Sequence, residues 1–404
     1  MLSLMSRVWM RSTHCILKSP KYTPNICVTK SLNVTKVVKQ LTTGTVGQQL
    51  EEVSTKSRKI VGYWLMTCGG LTFTTVIIGG ITRLTNSGLS MVDWHPFKEF
   101  PPLNNNKWIE EFNKYKLFPE FKIRNKDMTL EEFKWIWYME FIHRTLGRTI
   151  GAVYFIPAAI FWYKKWFTKS MKPRVLVFGG LLAFQGLLGW YMVKSGLEEK
   201  PEYQRDPKVS HYRLAAHLGT ALVFYSLLIW SGLSHLTVPS QTQVTPQVLK
   251  FRRYTHMTKG FIFFTALSGA LVAGLDAGLV YNSWPLMADR IIPTDLLSQS
   301  PKWKNFFENA TTVQFDHRRL GELVLCGSTG LWIYSRRLPL SPRTRLAVNC
   351  LFAATLLQVT LGVTTLLFYV PKSLAASHQS GALTVLTIAL WLSHEMKLLK
   401  KLPK

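Results

Sequence analysis

The chain has 404 residues, 47% of them hydrophobic and 13% aromatic, and a formal net charge of +27. So large a positive charge invites a nucleic-acid reading, but proteins of that class gather their basic residues into one usable footprint. Here the basic residues collect at the ends of apolar runs, which excludes nucleic acid as a partner and points to a membrane.

Residues 1–45 come first. Arg7, Arg11, Lys18, Lys21, Lys30, Lys36 and Lys39 are interspersed there with Ser, Thr and apolar residues, and no acid precedes Glu51. That pattern is expected of a mitochondrial presequence that is removed from the mature protein, so the segment is set apart from the fold. Eight apolar runs follow, near 60–82, 135–163, 174–193, 211–235, 259–281, 316–335, 344–368 and 374–396. Each is long enough to be read as a helix crossing about 30 Å of hydrocarbon.

The charges between the runs set their orientation. Lys164, Lys165, Lys169, Lys172 and Arg174 lie between the second and third, and Lys250, Arg252, Arg253 and Lys259 between the fourth and fifth. Arg336, Arg337, Arg343 and Arg345 lie between the sixth and seventh, and Lys397, Lys400, Lys401 and Lys404 close the chain. By the positive-inside bias these loops and both termini share one side, the matrix for a mitochondrial chain. The long 83–134 segment, nearly balanced in charge, lies on the other side. Cys15 and Cys27 fall in the presequence, while Cys68, Cys326 and Cys350 fall in apolar helices and read as buried small apolar residues. With no CxxC or Cys/His spacing, no zinc site is expected.

The two halves of the chain repeat one another. Asn86-Ser-Gly-Leu-Ser-Met-Val-Asp-Trp94 returns as Asp276-Ala-Gly-Leu-Val-Tyr-Asn-Ser-Trp284, each soon followed by proline, Pro96 or Pro285. His143-Arg-Thr-Leu-Gly147 matches His317-Arg-Arg-Leu-Gly321, and Gln185-Gly-Leu-Leu-Gly189 matches Gln358-Val-Thr-Leu-Gly362. His217-Leu-Gly-Thr-Ala221 parallels His378-Gln-Ser-Gly-Ala382. Four matches in one order imply a duplicated four-helix unit. The expected fold is therefore an all-α membrane protein of eight transmembrane helices, arranged as two tandem pseudo-symmetric four-helix bundles. The units span 60–235 and 259–396, joined by a matrix-side linker at 236–258 and followed by a basic tail at 397–404. Because each unit crosses an even number of times, the repeats are parallel, which disfavours an inverted-repeat transporter.

Histidine inside a membrane helix is uncommon and tends to be functional. His143, His217, His317 and His378 all lie early in even-numbered helices, which enter from the side opposite the basic loops. All four are thus expected at one depth, toward the intermembrane space. Two imidazoles on facing helices can supply both axial ligands of a haem iron, so His143 with His217 and His317 with His378 imply two haem sites. His211 is six residues before His217, about 240° around the helix, and cannot easily share its iron. Arg144 and Arg318, each following the first histidine of its unit, suit haem propionates or the polar boundary itself. Trp94 and Trp284 read as interface anchors.

One position breaks the repeat. Glu140 stands three residues before His143, whereas Gln314 stands three before His317. A carboxylate beside one haem only could stabilise developing positive charge or manage protons, or it could pair with Arg144.

Glu140-Phe-Ile-His143-Arg144, the second pair His317-Arg318, and the partners His217 and His378 resemble the haem A synthase family in its mitochondrial, cytochrome oxidase assembly form. The resemblance covers about residues 60–396. It implies oxidation of the C8 methyl group of haem O to the formyl group of haem A, with Glu140 catalytic beside the reacting porphyrin. It also implies that His317 and His378 ligate a haem b cofactor, while His143 and His217 hold the substrate haem. Arg144 and Arg318 are then haem-binding residues, and an external electron donor of the ferredoxin class is a partner. Haem O synthase, oxidase assembly factors and further copies of the chain are candidate partners as well. Unlike some bacterial members, the 83–134 loop has no cysteine, so a thiol mechanism there is excluded. The alternative reading is a diheme b-type electron carrier in the mitochondrial inner membrane without substrate chemistry. A parallel-repeat transporter using buried histidines for proton coupling trails both.

Overall fold

The computed structural model describes residues 53–95, 99–198, 207–239 and 243–397; the expected presequence, Pro96 and the tail beyond Lys397 lie outside them. The described residues form eight long helices and no sheet. These are α1 Thr55–Leu84, α2 Leu130–Tyr163, α3 Met171–Leu197, α4 His211–Leu236, α5 Pro246–Gly274, α6 Ala310–Ser335, α7 Pro342–Leu367 and α8 Lys372–Glu395.

Six of the eight, α1 to α5 and α7, are long and apolar enough to cross a membrane. The chain is a multi-pass membrane protein. The other two are more polar where they begin: α6 carries Asp316, Arg318, Arg319 and Glu322, and α8 opens with Lys372, Ser373, Ser377, His378 and Gln379.

The fifth helix departs most from its expected bounds. It begins at Pro246 rather than near 259, so most of the expected 236–258 linker is helix, and Lys250, Arg252 and Arg253 lie in its opening turns. The start signal is a cap and not hydropathy: the Thr245 hydroxyl accepts from the Val248 amide, and Pro246 occupies the first turn, where its missing N–H costs nothing. The helix ends at Gly274 because the chain turns through Asp276, whose φ is 50°. Asn86, its counterpart in the first half, has φ 52° after α1. Asn and Asp tolerate this left-handed conformation better than most residues, so the repeated Asn/Asp position marks the same exit turn twice.

Each half is a ring of four helices. In the first, α1 packs on α2 and α4, and α3 on α2 and α4; in the second, α5 packs on α6 and α8, and α7 on α6 and α8. The histidine-bearing helices α2 and α4, and likewise α6 and α8, therefore stand on diagonals. Leu65, Cys68, Tyr154, Phe178 and Leu228 fill one core, and Leu222, Phe251, Leu351 and Leu386 the other. The halves meet where α4 and α1 face α5 and α8. Of the helix cysteines expected to be buried, Cys68 is buried, but Cys350 is only partly so and Cys326 is exposed on the outer face of α6.

The segment after α1 is folded. The short helix Asn105–Lys116 packs Trp108, Phe112 and Tyr115, and Pro119–Ile123 packs Phe121, against Phe133, Ile136 and Trp137 of α2, which begins at Leu130, ahead of its expected start near 135. Thr129 and Glu132 form a reciprocal capping box at that start.

Candidate functional site

His143, His217, His317 and His378 fall on α2, α4, α6 and α8, and each faces a glycine on a neighbouring helix. A methyl carbon added to Gly79 of α1 would lie 2.7 Å from Cε1 of His143, and one on Gly362 of α7 would lie 2.8 Å from Cε1 of His378. At Gly189 of α3 and Gly269 of α5 the distances to His217 and His317 are both 3.5 Å. Four imidazoles thus approach bare backbone through Cε1. Gly189 and Gly362 belong to a repeat motif that the sequence displays; Gly79 and Gly269 occupy repeat-equivalent positions in apolar helices, where no neighbouring motif marks them.

The glutamines of the same motif hold the second histidine of each half. Gln185 donates to the His217 carbonyl at 3.1 Å and also meets the Thr220 hydroxyl, and Gln358 donates to the His378 carbonyl at 2.8 Å. The Gln358 amide nitrogen also lies 3.1 Å from Nδ1 of His378, while Ser268 Oγ lies 2.7 Å from Nδ1 of His317. Such contacts to one ring nitrogen orient the other. In the second half the rings of His317 and His378 face each other with centroids 6.3 Å apart and planes at 82°. With metal–imidazole bonds of roughly 2 Å, that is the spacing two axial ligands need around one iron. Among the described residues no cluster of three His, Cys, Asp or Glu could hold a bare metal ion. The donor set fits a metal whose remaining ligands come from a macrocycle.

The arginines and the Glu140/Gln314 pair hold the segments that follow α1 and α5. Glu140 is 2% exposed. Its Oε2 accepts from the Ser90 hydroxyl at 2.8 Å and the Met91 amide at 2.9 Å, and its Oε1 from Arg144 at 2.7 Å. Arg144 also donates to the carbonyls of Met91 and Asp93, reaches Glu99 at 3.5 Å, and carries Trp94 over its guanidinium at 4.8 Å. Glu99 in turn pairs with Arg148. In the second half Gln314 donates to the carbonyls of Ala277 and Tyr281, while Arg318 donates to Tyr281, Ser283 and Gln314. One plan serves both halves with opposite polarity. Toward the segment after the preceding helix, the carboxylate receives N–H and O–H groups and the amide gives N–H groups to carbonyls, while both accept from the arginine four residues on. His211, at the start of α4, packs on Tyr212 and the end of α5 rather than on His217.

The family model described as cytochrome oxidase assembly protein (COX15-CtaA) matches residues 62–390, which takes in α2 to α7 whole and most of α1 and α8. The chain belongs to this family. Among its cytochrome oxidase assembly relatives, a Bos taurus protein named Heme A synthase COX15 is 56% identical over 352 residues, covering 87% of this chain and 84% of the relative. The Homo sapiens protein of the same name is 56% identical over 352 residues, covering 87% and 85%. The one from Mus musculus is 55% identical over 372 residues, covering 92% and 88%.

Proposed function

We propose that this chain is a haem A synthase, an oxidoreductase that converts the C8 methyl group of haem O to the formyl group of haem A for cytochrome c oxidase assembly. The observation that carries the reading is the fourfold pairing of a histidine with a backbone glycine, set in a chain 55–56% identical to proteins named Heme A synthase COX15 over most of its length. It is placed in the mitochondrial inner membrane as two tandem four-helix bundles with eight spans, both termini in the matrix, and the histidines toward the intermembrane space. The basic loop residues and the positive-inside bias support that orientation.

His317 and His378 are assigned to a haem b cofactor, and the 6.3 Å spacing of their rings supports the assignment. Such a group, when bound, supplies one-electron chemistry that amino-acid side chains lack. His143 and His217 are assigned to the substrate haem. Glu140 sits about one turn before His143 and Arg144 directly after it, where they fix the segment 87–95 and place a carboxylate beside the substrate. Glu140 is assigned the catalytic role on the ground that the second half, which performs no substrate chemistry, has an amide there. Arg144 and Arg318 lend positive charge to the propionate side of each site. Electrons come from an external donor of the ferredoxin class.

The test is to purify the detergent-solubilised protein, record its reduced-minus-oxidised spectrum and extract its haems. Haem B together with haem O or its oxidised derivatives supports the synthase. Haem B alone at two per chain supports the diheme electron carrier, and no haem overturns both.

A further inference from the structure

The residue after His378 crosses from one half to the other. Gln379 donates its amide to the carbonyl of Val76 on α1 at 2.7 Å. Its carboxamide occupies the space over Gly80, where a methyl carbon would collide with it. Gly79, one residue back, is the glycine against which the His143 ring lies. A continuous set of contacts therefore runs from His143 through Gly79 and Gly80 to Gln379 and His378.

Packing alone does not call for a polar group here. By the repeat, the residue after His217 is Leu218, and Ala266 and Ala270 stand where Val76 and Gly80 do; Leu218 and Ala266 lie in one apolar cluster, and Ala270 is buried. The same position is thus met once with leucine and once with a hydrogen-bonded amide. An amide among apolar helices has to keep its partner, which makes its position depend on the Val76 carbonyl. Because Gly79 and Gly80 touch their partners without slack, a displacement at either end has to be taken up at the other. Arg83, donating to the Ala273 carbonyl at 2.9 Å, pins the same two halves together nearer the outer side.

We infer that Gln379 is a positioning residue that couples the two histidine pairs, so that occupancy of the pair His143 and His217 is felt at His317 and His378, and the reverse. This rests on the assignment of haem to both pairs. The test starts from protein purified with haem at the second pair only. Its reduction midpoint is measured before and after haem O is added, in the wild type, in Gln379→Leu and in Gly80→Ala. The wild type is expected to shift by an amount equal to about fivefold or more in relative affinity for the two oxidation states. Both variants are expected to take up both haems and to lose most of the shift. The two variants approach the contact from opposite sides, and the Gln379 carboxamide is flexible enough to swing away from an alanine, so the measurement does not depend on one of them folding. An equal shift in the variants, or none in the wild type, would overturn the coupling while leaving the haem assignment intact. Absence of haem from both pairs overturns the assignment and the coupling together.

Discussion

Glu140 and Arg144 form an ion pair of 2.7 Å with side chains only 3% and 6% exposed, one turn apart on the helix that carries His143. Every oxygen of the carboxylate is engaged, on one side by the guanidinium and on the other by Ser90 and Met91. The residue proposed as catalytic is therefore also the anchor of the segment after α1.

Glu140→Gln should lose about 2 kcal/mol of charge-assisted hydrogen bonding to that segment. Haem content is expected to persist and haem A to vanish from the extract. Hydrogen exchange of residues 87–93 separates the two roles of the carboxylate. Wild-type protection with no product assigns the loss to chemistry, whereas lost protection assigns it to the anchor.

The glycines give a graded test of the haem sites. Gly79→Ala and Gly362→Ala overpack an imidazole, at a cost of about 1–3 kcal/mol each. Gly79→Ala should release or distort the substrate haem and Gly362→Ala the cofactor. Gly189→Ala and Gly269→Ala, where the added carbon stays 3.5 Å away, should retain both. Haem stoichiometry and low-spin electron paramagnetic resonance of each variant measure this. Equal loss in all four would sink the idea that contact with the ring is what matters.

Glu120, on the short helix Pro119–Ile123, makes the segment between α1 and α2 sensitive to pH. Burial pushes its carboxyl up to about 8, against the opposing effect of the Tyr115 hydroxyl 3.0 Å away. Its value in the folded chain lies above the ordinary 4.5, so folding favours the protonated form. That contribution is complete below about 4.5 and is lost as pH rises through about 8. Protection of residues 105–123 against hydrogen exchange should fall over this interval. Glu120→Gln should flatten the dependence and raise protection at the upper end.

Orientation is tested with intact organelles stripped of their outer membrane. Lys107 and Lys116, both exposed on the outer segment, should react with an amine reagent that does not cross membranes, and Lys164 and Lys165 should not. The opposite labelling pattern would invert the proposed topology.

Much of this arrangement was legible in the sequence because it rests on local or repeated chemistry. Apolar runs located all eight long helices, most of them within a few residues, and six of these are long and apolar enough to cross a membrane, since hydropathy reports directly on what can face lipid. The fifth was misplaced because its start is written in Thr245 and Pro246 and its end in a left-handed Asp276, none of which is apolar. Repetition made the four histidines stand out, because a chance histidine does not recur in register.

Other features depended on the three-dimensional packing. That the histidine helices stand on diagonals, that Gly79 and Gly269 press on His143 and His317, and that Gln379 reaches Val76 303 residues away are relations between distant segments. Glu140 was visible as a break in the repeat, yet its fourfold engagement with Ser90, Met91 and Arg144 was not. The residue types and their periods were determined by the sequence itself, because helix geometry and the cost of polar groups in lipid act on neighbours along the chain. Which backbone a ring touches, and which carbonyl an amide finds, was decided only when packing brought separate helices together.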